Sequence, residues 1–451
     1  MNNKADLING NLWKAMFTFA VPLVITNLLQ AIYNISDMII VGHFAGASGL
    51  TAVGNGGQVT MVILNIVLGL ANGGAVIVAQ MVGSGRRDEV PKVVSTVFLT
   101  FLIIGVVVSV AVFACTRPIL DAMHTPPEAY SQTVNYLRIC VFGTLFVYTY
   151  NMMAAILRGM GDSKIPMTTV VITSLLNIGL DLLFVGAFNL NATGAAIATL
   201  ISQIMSVVII VPMALHKYPE LKITKEGLGI DGYIFKNLFK IGLPQSIQFT
   251  LTQLSFTLIL GLVNVYGNDA AAAAVSVSRL SSLAVLVGQA MMGAIISVAG
   301  QNIGAKQYDR ALKSVFIGMA YAYPVSILFF VLSEIRPDLM LTLFTTDPGV
   351  IAYGIPYLRV LAISFLIETG MFCMFGLMTG AGYTNYTMVC ALLSAFVVRF
   401  SLAWYLSTHT SLGFLGIAWA YPFAPVASCI VCVIFLCSGK WKQSRLKMRQ
   451  Q

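Results

Sequence analysis

The chain has 451 residues, of which 58% are hydrophobic and only 10% charged, where soluble domains carry roughly 25% charged residues. So few charges cannot cover a soluble surface of this size. The apolar residues lie in blocks of about 20 or more, long enough to span a hydrocarbon core and continuous enough to exclude the alternating strands of an outer-membrane barrel.

In chain order the blocks fall at residues 16–42, 53–82, 93–115, 133–157, 165–187, 192–215, 241–266, 271–303, 314–333, 354–379, 384–407 and 413–437. They predict an all-α integral membrane protein with twelve transmembrane helices, because backbone polar groups in lipid must be satisfied within each segment. The first block follows a polar lead, Met1–Lys14, and is too long for the apolar region of a cleavable signal. With the N-terminus inside, 20 of the 26 Lys and Arg fall on the cytoplasmic side, Lys4, Lys225, Arg445, Lys447 and Arg449 among them, and the outer loops keep Arg117 and Arg336. That bias predicts two cytoplasmic termini in a multi-pass protein of a bacterial inner (plasma) membrane. The net charge of +9 is therefore a topology signal, and no nucleic-acid partner is expected.

Residues 216–240 are the longest polar stretch and read as a cytoplasmic linker between an N-terminal lobe, 1–215, and a C-terminal lobe with a basic tail, 241–451. The halves repeat. Ala79-Gln80-Met-Val-Gly83 returns as Gly300-Gln301-Asn-Ile-Gly304, Tyr136-Leu137-Arg138 as Tyr357-Leu358-Arg359, and Gly159-x-Gly161 as Gly380-x-Gly382, all displaced by 221. Pro22 and Pro244, and Gly194 and Gly416, match at 222. Six helices per half is an even number, so both lobes share one orientation and form a parallel internal repeat. Duplicated lobes of this kind predict a central cavity and a rocking motion.

Polar residues inside the blocks mark the candidate site. In the first, Asn27, Gln30, Asn34 and Asp37 are spaced to share one helical face. A carboxylate at mid-membrane costs roughly 3 kcal/mol on insertion scales, so Asp37 reads as a cation- or proton-binding group. The fifth block adds Asn177 and Asp181, one turn apart, and the sixth adds Thr199. Two aspartates and an amide offer oxygen ligands to sodium, and two adjacent carboxyls equally suit a shared proton. Asp37 and Asp181 have no acidic counterparts in the second half, where Leu258 or Ile259 and Leu402 or Ala403 stand, which places ion coupling in the first lobe. In the second lobe, Gln245, Gln248, Thr252 and Ser255 form a polar stripe. Glu368 there either attracts a cation or pairs with one of two intramembrane arginines, Arg279 and Arg399.

The seven cysteines read as packed or lipid-facing residues, and the C-x2-C of Cys429 and Cys432 has no second pair beside it. The four histidines are scattered without ligand spacing, and no phosphate-loop motif is present. An enzyme is therefore not expected, nor a cofactor, nor a metal beyond a sodium ion at Asp37, Asn177 and Asp181; energy should come from an ion gradient.

In sequence the chain resembles the multidrug and toxic compound extrusion (MATE) family over about residues 10–437. The resemblance rests on Phe19-Ala-Val-Pro22, Tyr33-Asn34-Ile-Ser-Asp37-Met-Ile-Ile-Val-Gly42, Ala79-Gln80-Met-Val-Gly83, Leu157-Arg158-Gly159-Met-Gly161-Asp162 and Asn177-Ile-Gly-Leu-Asp181. It implies two V-shaped six-helix lobes and antiport of organic cations against protons or sodium. It further implies a cation or proton site at Asp37, Asn177, Asp181 and Thr199, and bending of the first helix at Pro22. Glu368 resembles an acid used by another branch, whereas the seventh helix holds Thr252 and Gln253 where that branch has an acid. The expectation is alternating access by a monomer, with substrate contacts from Gln30, Asn34, Gln248, Thr252 and Glu368. A lipid-linked precursor flippase is the alternative, with more helices and a more cationic cavity than this chain offers.

Overall fold

The structure, a computed structural model, describes residues 6–224 and 227–443; Lys4, Lys225, Arg445, Lys447 and Arg449 lie outside them. Twelve helical spans among the described residues are long and apolar enough to cross a membrane. They are α1 (Leu12–Phe44), α2 (Gly46–Gly83), α3 (Val90–Ala122), α4 (Pro127–Gly159), α5 (Lys164–Asp181) with a π-helical extension (Leu182–Ala187), and α6 (Asn191–Lys217) in the first half. The second half has α7 (Gly232–Asn264), α8 (Asn268–Gly304), α9 (Tyr308–Ile335), a short α10 (Pro337–Thr342) and α11 (Pro348–Gly380). There follow α12 (Thr384–Leu392), a π-helical segment (Leu393–Phe400) and α13 (Ser401–His409), which form one span, and then α14 (Phe414–Cys437). The prediction of an all-α membrane protein with twelve spans holds.

Proline lies inside α1 and α7 at the matched positions Pro22 and Pro244. A proline in a helix interior removes one backbone hydrogen bond and weakens the turn around it. The Thr26 hydroxyl donates to the Pro22 carbonyl at 2.7 Å, bracing the turn that follows.

By packing, the chain divides into one unit of Val21–Ser246 and a second made of Asp6–Ala20 and the chain from Ile247. Within the first unit the polar stretch expected as a linker, 216–240, is bonded to its neighbours. Lys217 and the Tyr218 hydroxyl both donate to Asp162 Oδ2. The Gly229 amide donates to Ser95 Oγ at 2.9 Å and the Asp231 amide to Thr96 Oγ1 at 3.0 Å. Asp231 then caps α7 by accepting from the amides of Tyr233 and Ile234. The polar stretch is thus fastened to α3 and to the start of α5. Within the second unit, Arg310 donates to the Gly10 carbonyl at 2.8 Å and Asn302 to the Leu7 carbonyl at 3.0 Å, which holds the residues before α1 against the turn from α8 to α9.

Candidate coupling site

Five helices of the first unit bring the site together. Asp37 lies in the last third of α1. Asp181 is the final residue of α5 and is 0% exposed, with Asn177 one turn earlier at 2%. The helix loosens into its π-helical turn immediately after Asp181, a local geometry that recurs at functional sites.

The side chains of Asp37 and Asp181 lie within hydrogen-bonding reach of each other. An ionised carboxylate is an acceptor only, so two carboxyls form such a bond only when at least one holds a proton. Asp37 Oδ1 is also buried with no hydrogen-bond partner among the described residues. Thr199, on α6, interacts with the Tyr33 hydroxyl, and Tyr33 stands one turn before Asp37, close enough to feel the charge of both acids. Tyr136 and Cys140, one turn apart on α4, contact each other through their side chains, and both lie within electrostatic reach of Asp37.

The surroundings are apolar. Ile40, Val41, Ala52, Val53, Val185 and Ala195 pack with Tyr136 and Cys140 in one buried cluster. Charge interactions are strengthened where water is excluded, so a proton or cation at this pair is held more strongly than on the surface.

The structure thus joins Asp37, Asp181 and, through Tyr33, Thr199; it also buries Asn177 beside Asp181. Tyr33, Tyr136 and Cys140 were not singled out from the sequence. The signal for two of them was present, since Tyr33 opens the Tyr33-Asn34-Ile-Ser-Asp37 run and Tyr136 heads the duplicated Tyr-Leu-Arg.

The residues expected at the substrate cavity divide between the two units. Gln30 and Asn34 are exposed residues of the first unit. Gln248, Thr252 and Glu368 belong to the second. Gln248 is 6% exposed with its Oε1 unpartnered, and the Thr252 hydroxyl bonds to the Gln248 carbonyl of its own helix at 2.9 Å. Neither Arg279 nor Arg399 forms an ion pair with Glu368 among the described residues, so the Glu–Arg pairing is not the arrangement found. Arg279 is exposed, and the Arg399 guanidinium lies instead over the rings of Phe256 and Tyr421, at 4.8 and 5.2 Å, an alternative way to hold a cation. No group of three or more His, Cys, Asp or Glu suited to a metal ion occurs among the described residues.

The MatE family model matches residues 22–183 and again 244–405, most of the chain in two copies. The chain belongs to the MATE family of transporters. It is 28% identical to "Probable multidrug resistance protein YoeA" of Bacillus subtilis (strain 168), covering 93% of this chain and 92% of that one. It is 23% identical to "Probable multidrug resistance protein NorM" of Thermotoga maritima, covering 97% and 95%. Among solved structures, a MATE "in the bent conformation" and one "in the straight conformation" each share 22% identity, cover 99% of both chains and superpose with a TM-score of 0.90. This MATE chain therefore has the fold of the family over its whole length, in two repeats, as the internal matches predict.

Proposed function

We propose that this MATE transporter exports small organic molecules, mostly cationic, in exchange for protons, by alternating access. The observation that carries the reading is the carboxyl pair of Asp37 and Asp181, within hydrogen-bonding reach of each other on the helical segments that also supply Ile40, Val41 and Val185 to a buried apolar cluster. Two carboxyls this close can share one proton between them, and we take that proton as the coupling ion. Multidrug resistance in the names of the relatives supports the substrate class.

In this reading Asp37 and Asp181 hold the coupling proton, Asn177 and Thr199 shape the site, and Tyr33 and Tyr136 wall it from water. Proton loading favours the conformation that releases drug outward, and proton loss to the cytoplasm resets the carrier. The ion can drive this only by binding the two conformations with different affinity. Pro22 serves as the bending point of α1. In support, the packing membership of α1 changes between Ala20 and Val21, next to that proline, and relatives of the same fold were solved as bent and straight forms. Both termini face the cytoplasm, and the monomer is the working unit. Gln30, Asn34, Gln248, Thr252 and Glu368 contribute substrate contacts.

The test is export of a fluorescent organic cation by cells expressing Asp37→Asn or Asp181→Asn. Each variant should reach the membrane at normal levels and lose export to the level of cells without the protein. Export retained at wild-type rate by either variant would remove the acid pair from the mechanism.

A further inference from the structure

The two repeats carry opposite chemistry at matching positions. The two family matches begin at 22 and 244 and end at 183 and 405, a displacement of 222 at both ends. On that register Asp37 matches Ile259, Asp181 matches Ala403 and Asn177 matches Arg399. The Gly194–Gly416 pair carries the same register onward, so Thr199 matches Tyr421, and the Tyr-Leu-Arg repeat pairs Tyr136 with Tyr357. Ile259 and Ala403 are 2% and 0% exposed in the apolar core of the second unit. The acid pair has gone, and a fixed cation stands one turn from where an acid would be.

Arg399 is 6% exposed and lies in the π-helical segment Leu393–Phe400. Its guanidinium sits over Phe256 and Tyr421, and the Tyr421 hydroxyl interacts with that of Tyr357. The rings compensate part of the charge through their faces. They do not serve the in-plane N–H groups, and Arg399 Nε and Nη1 are buried with no hydrogen-bond partner among the described residues. Ser255 spends its hydroxyl on the Ala395 carbonyl at 3.0 Å. Glu368 is within electrostatic reach of Arg399 but makes no ion pair with it among the described residues. A buried guanidinium with unsatisfied donors is costly unless an acceptor of opposite charge meets it, and a carboxylate matches its planar donor geometry best.

We propose that Arg399 anchors an anion site in the second lobe, framed by Phe256, Tyr421 and Tyr357, that takes a monovalent anion: the carboxylate of a transported organic molecule, or a small ion such as chloride. The site uses none of the residues proposed for proton coupling. It extends the substrate range to molecules that carry a carboxylate.

Calorimetric titration of the purified full-length protein in detergent, in a chloride-free sulfonate buffer, tests it with benzoate and with chloride as probes. Wild type should bind benzoate saturably, Arg399→Gln at least about tenfold more weakly, and Arg399→Lys at an intermediate strength. Arg399→Met, which keeps an apolar stem of similar length, replaces Arg399→Gln if that variant does not elute as a single species. Benzoate binding that chloride does not displace assigns the site to organic carboxylates, and displacement by chloride assigns it to small anions as well. Wild-type protein that binds neither probe, or a neutral variant that binds as wild type does, overturns the proposal.

Discussion

At Asp162 four donors converge on one buried carboxylate: the amides of Lys164 and Ile165 at 2.9 and 3.3 Å, Lys217 Nζ at 2.5 Å and the Tyr218 hydroxyl at 3.0 Å. Burial alone pushes this group up, but Lys217, the Ile165 amide and Tyr218 together outweigh it and hold the carboxyl below its ordinary value. A carboxyl depressed in the folded state stabilises the fold above its unfolded value, about 3.9, and loses that contribution as pH falls through and below it. The Lys217 side chain is 42% exposed, so solvent screens part of its share, and the amides of Lys164 and Ile165 add to it. Asp162→Asn should therefore cost about 1 kcal/mol at neutral pH, seen as a lowered midpoint of thermal unfolding, and the gap to wild type should begin to shrink only as pH falls below about 4. A gap that widens on acidification would reverse the assignment. In the sequence Asp162 was legible only as one letter of Leu157-Arg158-Gly159-Met-Gly161-Asp162, because its partners Lys217 and Tyr218 are 55 and 56 residues away. The site acids were easier to read, since a carboxylate inside an apolar block needs a reason to be there. Cys140 was not, because a small residue on a helix says nothing of what it touches.

Among the helices, α2 and α7 meet by close backbone contact that polarity alone does not reveal. A Cβ on Gly242 would stand 2.6 Å from the Leu70 Cα, and one on Gly69 would stand 2.2 Å from the Ser246 amide nitrogen. The two backbones meet with no side chain between them, and the Ser246 hydroxyl adds a 2.8 Å bond to the Ile66 carbonyl. Small residues at such crossings are what lets membrane helices pack closely. The first half of α7 thus belongs with α2, and the unit boundary falls at Ser246–Ile247, just past Pro244. Gly242→Val should force these helices apart at a cost of about 1–3 kcal/mol, lowering the unfolding midpoint in detergent. An unchanged midpoint would mean that the crossing yields without strain. Spans were legible from hydropathy because length and composition fix them, whereas backbone crossings depend on which two glycines face each other.

Across the whole molecule the sequence disclosed more than it did of any one contact. Twelve spans and a duplicated half followed from composition, charge placement and a constant offset, and the two family matches reproduce that duplication. The asymmetry of the repeat is the functional content: Asp37 and Asp181 in one half, Ile259, Arg399 and Ala403 in the other. Symmetry builds the scaffold, and its departures carry the proposal that the first lobe holds the coupling ion. The central claim is that a proton shared by Asp37 and Asp181 drives export. Proteoliposomes loaded with a fluorescent organic cation and given a proton gradient or a sodium gradient separately test it most directly. The proton gradient alone should drive transport, with Asp37→Asn inert under both; transport that follows the sodium gradient and ignores the proton gradient would contradict the account.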